Sequence, residues 1–168
     1  NEEGRIPYVG LDKLEATTKH DRQCDIQDRK EVERLFTAIR PTTVLHLAAV
    51  TSVGYSQVNP ADTYNVNVVG TENVLRAAKL SGVGNVILAS TLQARSPENN
   101  YASSKFVTEA MGEKYARLIN ASNPLGGVTV LRFANIAGGK HRSTTHAIPN
   151  LARAINRGDL FRVTAPLN

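Results

Sequence analysis

Asn85-Val-Ile-Leu-Ala-Ser-Thr91 and, beyond a polar loop, Tyr101-Ala-Ser-Ser-Lys105 settle the architecture of this chain. The apolar, β-branched run predicts a strand at Asn85–Ser90 that brings the Thr91 hydroxyl to its carboxyl end. The segment from about residue 100 to 119 has helical periodicity, and a separation of four residues places Tyr101 and Lys105 on one helical face. The pattern therefore predicts a strand, a loop and a helix that opens at a tyrosine and lysine pair.

The alternation of strands and helices continues on both sides of this segment. Further strands are predicted at Ile6–Leu11, Gln23–Ile26, Thr43–Ala49, Val128–Phe133 and Phe161–Thr164. Helices are predicted after the capping box of Asp28 and Glu31, from Asn59 and Pro60 towards Gly82, and at Ala147–Asn156. On the helix at 100–119, the predicted buried face is Val107, Met111, Tyr115 and Leu118. This alternation implies βαβ units, hence an α/β fold with a parallel sheet covered on both faces.

Length and composition limit the chain to one domain. Its 168 residues are 41% hydrophobic and 21% charged, and no apolar run approaches the ~20 residues that cross a bilayer. The formal charge of +5 comes from Lys and Arg scattered among Asp and Glu, without the basic run typical of nucleic-acid binding. The single cysteine, Cys24, lacks companions at metal-ligand spacing and is predicted to be a buried hydrophobe. We expect a cytoplasmic protein with no metal, no nucleic-acid partner and no membrane span.

Tyr101, Lys105 and Thr91 are the candidate catalytic residues. A phenol has a reference pKa near ~10, too high for a base at neutral pH, so a nearby ammonium that favours the phenolate is needed. Lys105 can supply that charge, and the Thr91 hydroxyl can orient a reacting oxygen beside the phenol. Taken alone, a chance surface pair is the commoner explanation of such a motif. The hydroxyl at a strand end and the polar loop favour the catalytic interpretation.

Together with four other motifs, these residues resemble the extended short-chain dehydrogenase/reductase family, of the NAD-dependent epimerase/dehydratase type. The additional motifs are Asp25-Ile26, His46-Leu-Ala-Ala49, Asn67-Val-Val-Gly-Thr71 and Leu131-Arg-Phe-Ala-Asn135, so that the resemblance runs from about residue 6 to 166. It implies a Rossmann-like doubly wound parallel sheet and NAD as the cofactor, with NADP left open. It also implies a nucleotide-sugar substrate.

The resemblance assigns contacts to residues that follow strand ends. It implies cofactor contacts from Tyr101, Lys105, Asp25, Ile26, Leu47, Ala48, Ala49, Thr51 and Ala134, and a substrate-phosphate contact from Asn135. Asp12, which follows an apolar strand, is a candidate to bind the adenosine ribose hydroxyls and thereby favour NAD. Structural roles stay open for Asp25 as a turn cap and for Asn67 as a hydrogen-bonding residue.

Two neighbouring residues depart from the family pattern in a way that bears on the reaction. After Thr91, Leu92 and Gln93 stand where the family's dehydratases have Asp-Lys. Dehydration needs one group to protonate the leaving hydroxyl and another to take a carbon-bound proton, and neither Leu nor Gln does this at neutral pH. Epimerisation by transient oxidation needs hydride transfer and the tyrosine base, so it is the favoured reaction. Thr51 is a smaller departure, since the epimerases usually have lysine there.

No glycine-rich turn of the dinucleotide-binding type occurs in this sequence. Gly82 and Gly84 lie between a helix and a strand, and the other glycine pairs lack the spacing. In the doubly wound order 3-2-1-4-5-6, the absent first strand lies between the second and the fourth, so its loss leaves two unpaired inner edges. We expect residues 1–168 to be a partial NAD(P)-binding Rossmann domain, without the first strand and the substrate domain, and to be inactive alone.

The leading hypothesis is an NAD(P)-dependent nucleotide-sugar epimerase that oxidises a sugar hydroxyl transiently. One alternative is an NAD(P)H-dependent reductase or dehydrogenase of a non-sugar carbonyl. Another is a non-catalytic nucleotide-binding fragment, suggested by Leu92, Gln93 and the missing glycine turn. The candidate assembly is a homodimer of the full-length protein.

Overall fold

The structure, a computed structural model, describes residues 7–16, 18–121, 123, 126–134 and 156–157. It divides into two compact units, residues 1–132 and 133–168, and nearly all described residues lie in the first. The elements are β1 Gly10–Asp12, β2 Asp21–Gln23, α1 Arg29–Ile39, β3 Thr43–His46, α2 Val53–Val58, α3 Pro60–Tyr64, a π-helical segment Asn65–Gly70, α4 Thr71–Leu80, β4 Asn85–Thr91, a 3₁₀ turn Leu92–Arg95, α5 Asn100–Asn120 and β5 Gly127–Phe133. The predicted strand at 161–164 and most of the predicted helix at 147–156 lie outside the described residues.

The strands form two groups, each with parallel pairing. β1 pairs with β2, with Leu11 opposite Arg22, while β3 pairs with β4, with Thr43 opposite Asn85. β5 lies on the other side of β4, giving the order β3-β4-β5. Among the described residues, β1 and β3 are not paired with each other, so each group has the unpaired inner edge that the sequence predicted. The α/β class with parallel strands is confirmed.

One hydrophobic core joins α1, α4 and α5 to β4. Its buried members are Cys24, Val32, Leu35, Phe36, Val74, Leu75, Ala77, Ala78, Val83, Val86, Leu88, Tyr115 and Ile119. Burying each large aliphatic or aromatic side chain contributes roughly 1.5–3 kcal/mol, so this cluster supplies the main stabilisation of the fold. Cys24 is buried as predicted, and burial raises the pKa of its thiol to about 11, which keeps it protonated and unreactive.

Helix α1 begins and ends where the sequence predicts. The Asp28 side chain accepts a hydrogen bond from the backbone N–H of Glu31 at 3.1 Å. The reciprocal half of the capping box does not form, because the Glu31 carboxylate instead binds Arg34 at 2.6 Å. The helix ends at Arg40, which adopts a left-handed conformation with φ 48° immediately before Pro41.

The predicted helix from Asn59 to Gly82 is interrupted. Pro60 occupies its first turn as expected, but Asn59 makes no side-chain capping bond, and residues 65–70 form π-helical turns between α3 and α4. The short helix α2 lies between the predicted strand at 43–49 and the predicted helix from Asn59, where the sequence predicts no element. The first two strands are also displaced, since β1 extends to Asp12 and β2 ends at Gln23 rather than at Ile26.

The buried face predicted for α5 is wrong in part. Val107 and Leu118 are each 37% exposed, whereas Tyr115 is buried as expected. The helix instead buries Ala102, Ser104, Lys105, Thr108, Glu109, Gly112, Tyr115 and Ile119. Small and polar residues face the sheet because Lys105 and Glu109 find partners there. A Cβ added to Gly112 would lie 3.0 Å from Leu88, so the glycine permits the close approach of helix and strand.

Candidate active site

The site is built around the end of β4 and the first turns of α5. The Thr91 side chain hydrogen-bonds the Tyr101 phenol and lowers its pKa. The contact predicted from the sequence, between the Thr91 hydroxyl and a reacting oxygen beside the phenol, stays a prediction. Thr91 is the last residue of β4, and Asn99 caps α5 by accepting from the backbone N–H of Ala102 at 2.8 Å. A strand end and a capped helix therefore hold the two hydroxyl groups together.

Lys105 lies one turn further along α5 and is buried, with 6% of its surface exposed. Its Nζ donates a hydrogen bond to the carbonyl oxygen of Ala89 in β4 at 3.0 Å. Burial lowers the pKa of Lys105 to about 8, because the charged form loses its hydration. An ammonium has three donors, so this single backbone bond anchors the lysine and leaves it capable of further donation.

The Tyr101 phenol is half-buried, and its pKa reflects two opposing causes. Burial raises the pKa above its ordinary value, and the hydrogen bond with Thr91 lowers it. The net shift is upward, so the phenol of this chain is protonated at neutral pH. Activation of Tyr101 by the charge of Lys105 stays a prediction, as do the catalytic roles of all three residues.

His46, at the end of β3, is a buried neutral histidine next to the site. Its Nε2 lies 2.9 Å from the Thr71 hydroxyl, and that hydroxyl donates its own proton to the Asn67 carbonyl. The imidazole must therefore donate from Nε2, which fixes its tautomer. Burial and, secondarily, the charge of Lys105 lower the pKa of His46 to about 4. These contacts favour a structural role for His46 rather than proton transfer at neutral pH.

Asn67 makes the structural hydrogen bonds that the sequence left open as an alternative. Its Oδ1 accepts from the Val50 N–H at 2.8 Å, and its Nδ2 donates to the Val50 carbonyl at 3.0 Å. The same Nδ2 donates to the Ser104 hydroxyl at 2.9 Å. Because Asn67 lies in the π-helical segment, that unusual turn carries the amide that ties the loop after β3 to α5.

The residues expected to contact a cofactor follow the ends of β1, β2 and β3. Leu47, Ala48 and Thr51 are exposed and Ala49 is partly buried. Asp12 is exposed, and its Oδ1 accepts from the Leu14 N–H at 2.9 Å. Their contacts with a cofactor stay predictions.

Asp25, Ile26 and Ala134 complete that set. Asp25 caps a turn by accepting from the Gln27 N–H at 2.9 Å, which is the structural alternative noted above. Ile26 packs against the core and lies so close to Gly70 that an added Cβ would be 2.6 Å from it. Ala134 is exposed and belongs to the second unit, while Asn135 lies outside the described residues.

The sequence did not predict a polar cluster next to the site, in which Ser90 and Glu109 are buried and Arg132 is partly exposed. Ser90 donates to the Glu109 carboxylate at 2.5 Å, and Arg132 of β5 binds both carboxylate oxygens, at 2.9 and 2.5 Å. The Arg132 hydrogen bonds lower the pKa of Glu109. The available signal was that Glu109 follows Lys105 by four residues and so shares its helical face.

Two further residues near Tyr101 were missed because α2 was not predicted. The backbone N–H of Tyr101 donates to the Ser56 hydroxyl at 3.1 Å, and that of Asn100 donates to the Gln57 side chain at 3.2 Å.

Across the described ranges, no group of three or more His, Cys, Asp and Glu side chains could hold a metal ion. None of the helices in the described part of the chain has the length and apolar character to cross a membrane.

Comparison with known proteins places this geometry in context. The family model described as polysaccharide biosynthesis protein matches residues 11–167. A UDP-glucose 4-epimerase of Rhizobium meliloti is 28% identical over 162 residues, covering 83% of this chain and 48% of that protein. A UDP-N-acetylglucosamine 4,6-dehydratase (inverting) of Campylobacter jejuni is 31% identical over 121 residues, covering 68% of this chain and 34% of that protein.

A solved structure has the same fold. The UDP-glucose 4-epimerase of Thermus thermophilus, in complex with NAD, matches with a TM-score of 0.69 and 28% identity. The match covers 89% of this chain and 54% of that one. It confirms the predicted Rossmann-like fold, and the chain spans about half the length of the epimerases that it matches.

Proposed function

We propose a nucleotide-sugar epimerase function for the full-length protein. The chain belongs to the polysaccharide biosynthesis protein family and is of the extended short-chain dehydrogenase type. The observation that carries the proposal is the placement of three residues: Thr91 ends β4, Tyr101 lies in the first turn of α5, and Lys105, one turn further along α5, is buried and bonded to β4. The Thr91 side chain is close enough to the Tyr101 phenol to lower its pKa. The chain spans 48% of the Rhizobium enzyme. The activity is therefore proposed for the full-length protein.

In the proposed reaction, Tyr101 removes the proton from a sugar hydroxyl while the carbon that bears this hydroxyl is oxidised. The Thr91 hydroxyl hydrogen-bonds the reacting oxygen and keeps it beside the phenol. Lys105 favours the phenolate by its positive charge, since an ammonium close to a phenol lowers its pKa. After the keto sugar has rotated in the site, return of the hydride to the opposite face of the carbon and of the proton from Tyr101 to the oxygen would give the epimer, the hydride being held meanwhile by the nicotinamide cofactor.

NAD fits the residues that the chain offers. Small, partly exposed Ala48 and Ala49 follow β3, where a dinucleotide can approach the backbone closely. Asp12 presents an exposed carboxylate at the end of β1, a suitable acceptor for ribose hydroxyls. A bound NAD would supply the redox chemistry of the transient oxidation. The NAD complex of the Thermus epimerase supports this choice of cofactor.

Epimerisation is favoured over dehydration by the residues that follow Thr91. Leu92 is 50% exposed and carries no acid or base. Gln93 is a neutral amide whose Oε1 accepts from the Asn99 side chain at 3.3 Å. Neither side chain can protonate a leaving hydroxyl or take a carbon-bound proton at neutral pH.

The experiment is to express the complete gene and follow nucleotide sugars by NMR. UDP-, dTDP- and GDP-sugars are each incubated with the protein and NAD, and the expected result is conversion of one sugar into its epimer with no net change in NADH absorbance. A stoichiometric change in NAD(P)H with a non-sugar carbonyl would replace the epimerase by a dehydrogenase. Cofactor binding without turnover of any substrate, unaffected by Tyr101→Phe, would replace it by a nucleotide-binding protein.

We also propose that the full-length protein acts as a homodimer in the cytoplasm. Phe106 is 52% exposed on α5, and Val107 and Leu118 lie on the same helix with more than a third of their surface exposed. A second copy packed on this helix would cover apolar surface that water otherwise meets. Light scattering of wild type and Phe106→Glu tests this, because the charge should convert a dimer to a monomer; a monomeric wild type would contradict it.

A further inference from the structure

The amino terminus of α5 is held by side chains from outside the helix. The first N–H groups of a helix have no intrahelical acceptor. Here the Asn100 N–H donates to Gln57 Oε1 at 3.2 Å, and the Tyr101 N–H donates to Ser56 Oγ at 3.1 Å. Both acceptors lie on α2, so this helix caps the turn that carries the Tyr101 phenol.

Side-chain contacts reinforce this connection. The Asn100 Nδ2 donates to Gln57 Oε1 at 2.8 Å and to the Ser56 carbonyl at 3.2 Å. Ser56 is fully buried, and its hydroxyl donates to the Val53 carbonyl at 2.7 Å while accepting from Tyr101. The serine hydroxyl therefore has one proton and one acceptor position in use, both in fixed directions.

The carbonyl side of Tyr101 is tied to the same part of the chain. The Ser104 hydroxyl donates to the Tyr101 carbonyl at 2.7 Å and accepts from the Asn67 side chain. Asn67 in turn holds both backbone groups of Val50. Val50 lies in the loop 47–52, which joins β3 to α2. The N–H of Tyr101 is therefore bonded directly to α2, and its carbonyl is connected to the loop through Ser104 and Asn67.

We infer that Ser56 and Gln57 are positioning residues for Tyr101. They hold the backbone of the tyrosine in register with the loop 47–52, and thereby hold the phenol against Thr91. The inference rests on the proposed function, because it assigns these residues to proton transfer by Tyr101. Misplacing a catalytic group by about 1 Å can cost on the order of 10²-fold in rate, so loss of part of this connection should be measurable.

Gln57 allows a matched pair of substitutions in the full-length protein. Gln57→Glu keeps an oxygen that accepts from both nitrogens of Asn100, while Gln57→Met has similar length and no comparable acceptor. Gln57 is exposed, so neither change should prevent folding. We expect Gln57→Met to lower kcat about tenfold, Gln57→Glu to retain it, and both to keep the Kd for NAD within about twofold.

The pH profile separates positioning from stability. Burial raises the pKa of Tyr101 and the Thr91 hydrogen bond lowers it, so loosening the phenol should displace the acidic limb of the kcat profile in Gln57→Met. Ser56→Ala should move it in the same direction. Glu113→Gln, on the exposed face of α5, is the control and should leave kcat and the limb unchanged. A lower Tm with an unmoved limb in Gln57→Met would overturn the inference.

A second readout does not depend on turnover. The Tyr101 phenol is titrated by ultraviolet difference absorbance against Tyr101→Phe, and Gln57→Met should shift its pKa while Gln57→Glu should not. If wild type turns over no nucleotide sugar, the proposed function fails and this titration alone decides the positioning role. An active wild type with the same Tyr101 titration and kcat in Gln57→Met would overturn the positioning role and leave the function intact.

Discussion

The β4–α5 region and the β1–β2 region differ in how their polar groups are satisfied. In β4–α5, buried Lys105 and Glu109 bind partners from other elements, namely Ala89 and Arg132. In β1–β2, the side chain of Asp12 bonds to Leu14 and that of Asp21 to Thr18, two and three positions away, and most side chains are exposed.

This difference predicts which substitutions alter stability and rate and which alter ligand binding. A buried polar group bonded to a distant partner fixes two elements relative to each other, and breaking it leaves the partner unsatisfied. An exposed group with a local partner costs little to change, and it remains accessible to a ligand. We therefore expect substitutions in β4–α5 to change rate and stability strongly, and substitutions in β1–β2 to change ligand binding more than stability.

Tyr101→Phe tests the proposed chemistry of β4–α5 and should have the largest effect. It removes the proton acceptor but keeps the ring, so kcat should fall about 10³-fold while the Kd for NAD stays within a few-fold of wild type. The measurement is the epimerisation rate of the full-length protein by NMR, with NAD binding by calorimetry. A variant that retains more than about a tenth of the rate would show that the phenol is not the base.

His46, in the neighbouring strand β3, tests whether burial next to the β4–α5 region makes stability sensitive to acid. The pKa of His46 is lowered from 6.5 to about 4, so the unfolded chain takes up a proton at a higher pH than the folded chain does. Stability that is present above pH 6.5 should be lost as the pH falls towards 4, by as much as ~3 kcal/mol. Urea unfolding at several pH values should show less loss in this window for His46→Asn. Equal losses would contradict the prediction.

The sequence predicts much of β4–α5 because its signals are local. The apolar run before Thr91 and the helical spacing of Tyr101 and Lys105 are properties of adjacent residues, and both elements formed where expected. Lys105 and Glu109 on the buried face were not foreseen, since the hydrophobic pattern carries no information about a carbonyl or a guanidinium that arrives from another strand.

The positions of α2 and of the first two strands could not be predicted for a different reason. α2 has only six residues, too few for a clear helical pattern. Ser56 and Gln57 accept hydrogen bonds from residues more than 40 positions later in the chain, and no local pattern indicates such bonds. β1 and β2 have three residues each, so their ends depend on turns such as the one that Asp25 caps rather than on a repeating pattern.

Glu109→Gln tests the ion pair that holds β5 and α5 together. The substitution should lower the free energy of unfolding by about 2 kcal/mol at neutral pH, because Arg132 and Ser90 lose a charged acceptor. The pKa of Glu109 is lowered in the folded state, so this contribution is present above the ordinary carboxyl pKa and is lost as the pH falls through the lowered one. Denaturant unfolding should show wild type and variant converging in acid. The exposed Glu113→Gln serves as the control.

Asp12→Asn should have the smallest effect on stability and still reveal a function for β1–β2. The side chain is exposed and its one described bond is to the nearby Leu14 N–H, so the free energy of unfolding should change by less than about 0.5 kcal/mol. If the carboxylate binds ribose hydroxyls, loss of its charge should weaken NAD about tenfold, a cost of about 1.4 kcal/mol, because hydrogen bonds to charged groups are the stronger ones. Calorimetric titration with NAD and with NADP measures both affinities. An unchanged NAD affinity would remove Asp12 from the site, whereas a large loss of stability would show that β1–β2 is held together as tightly as β4–α5.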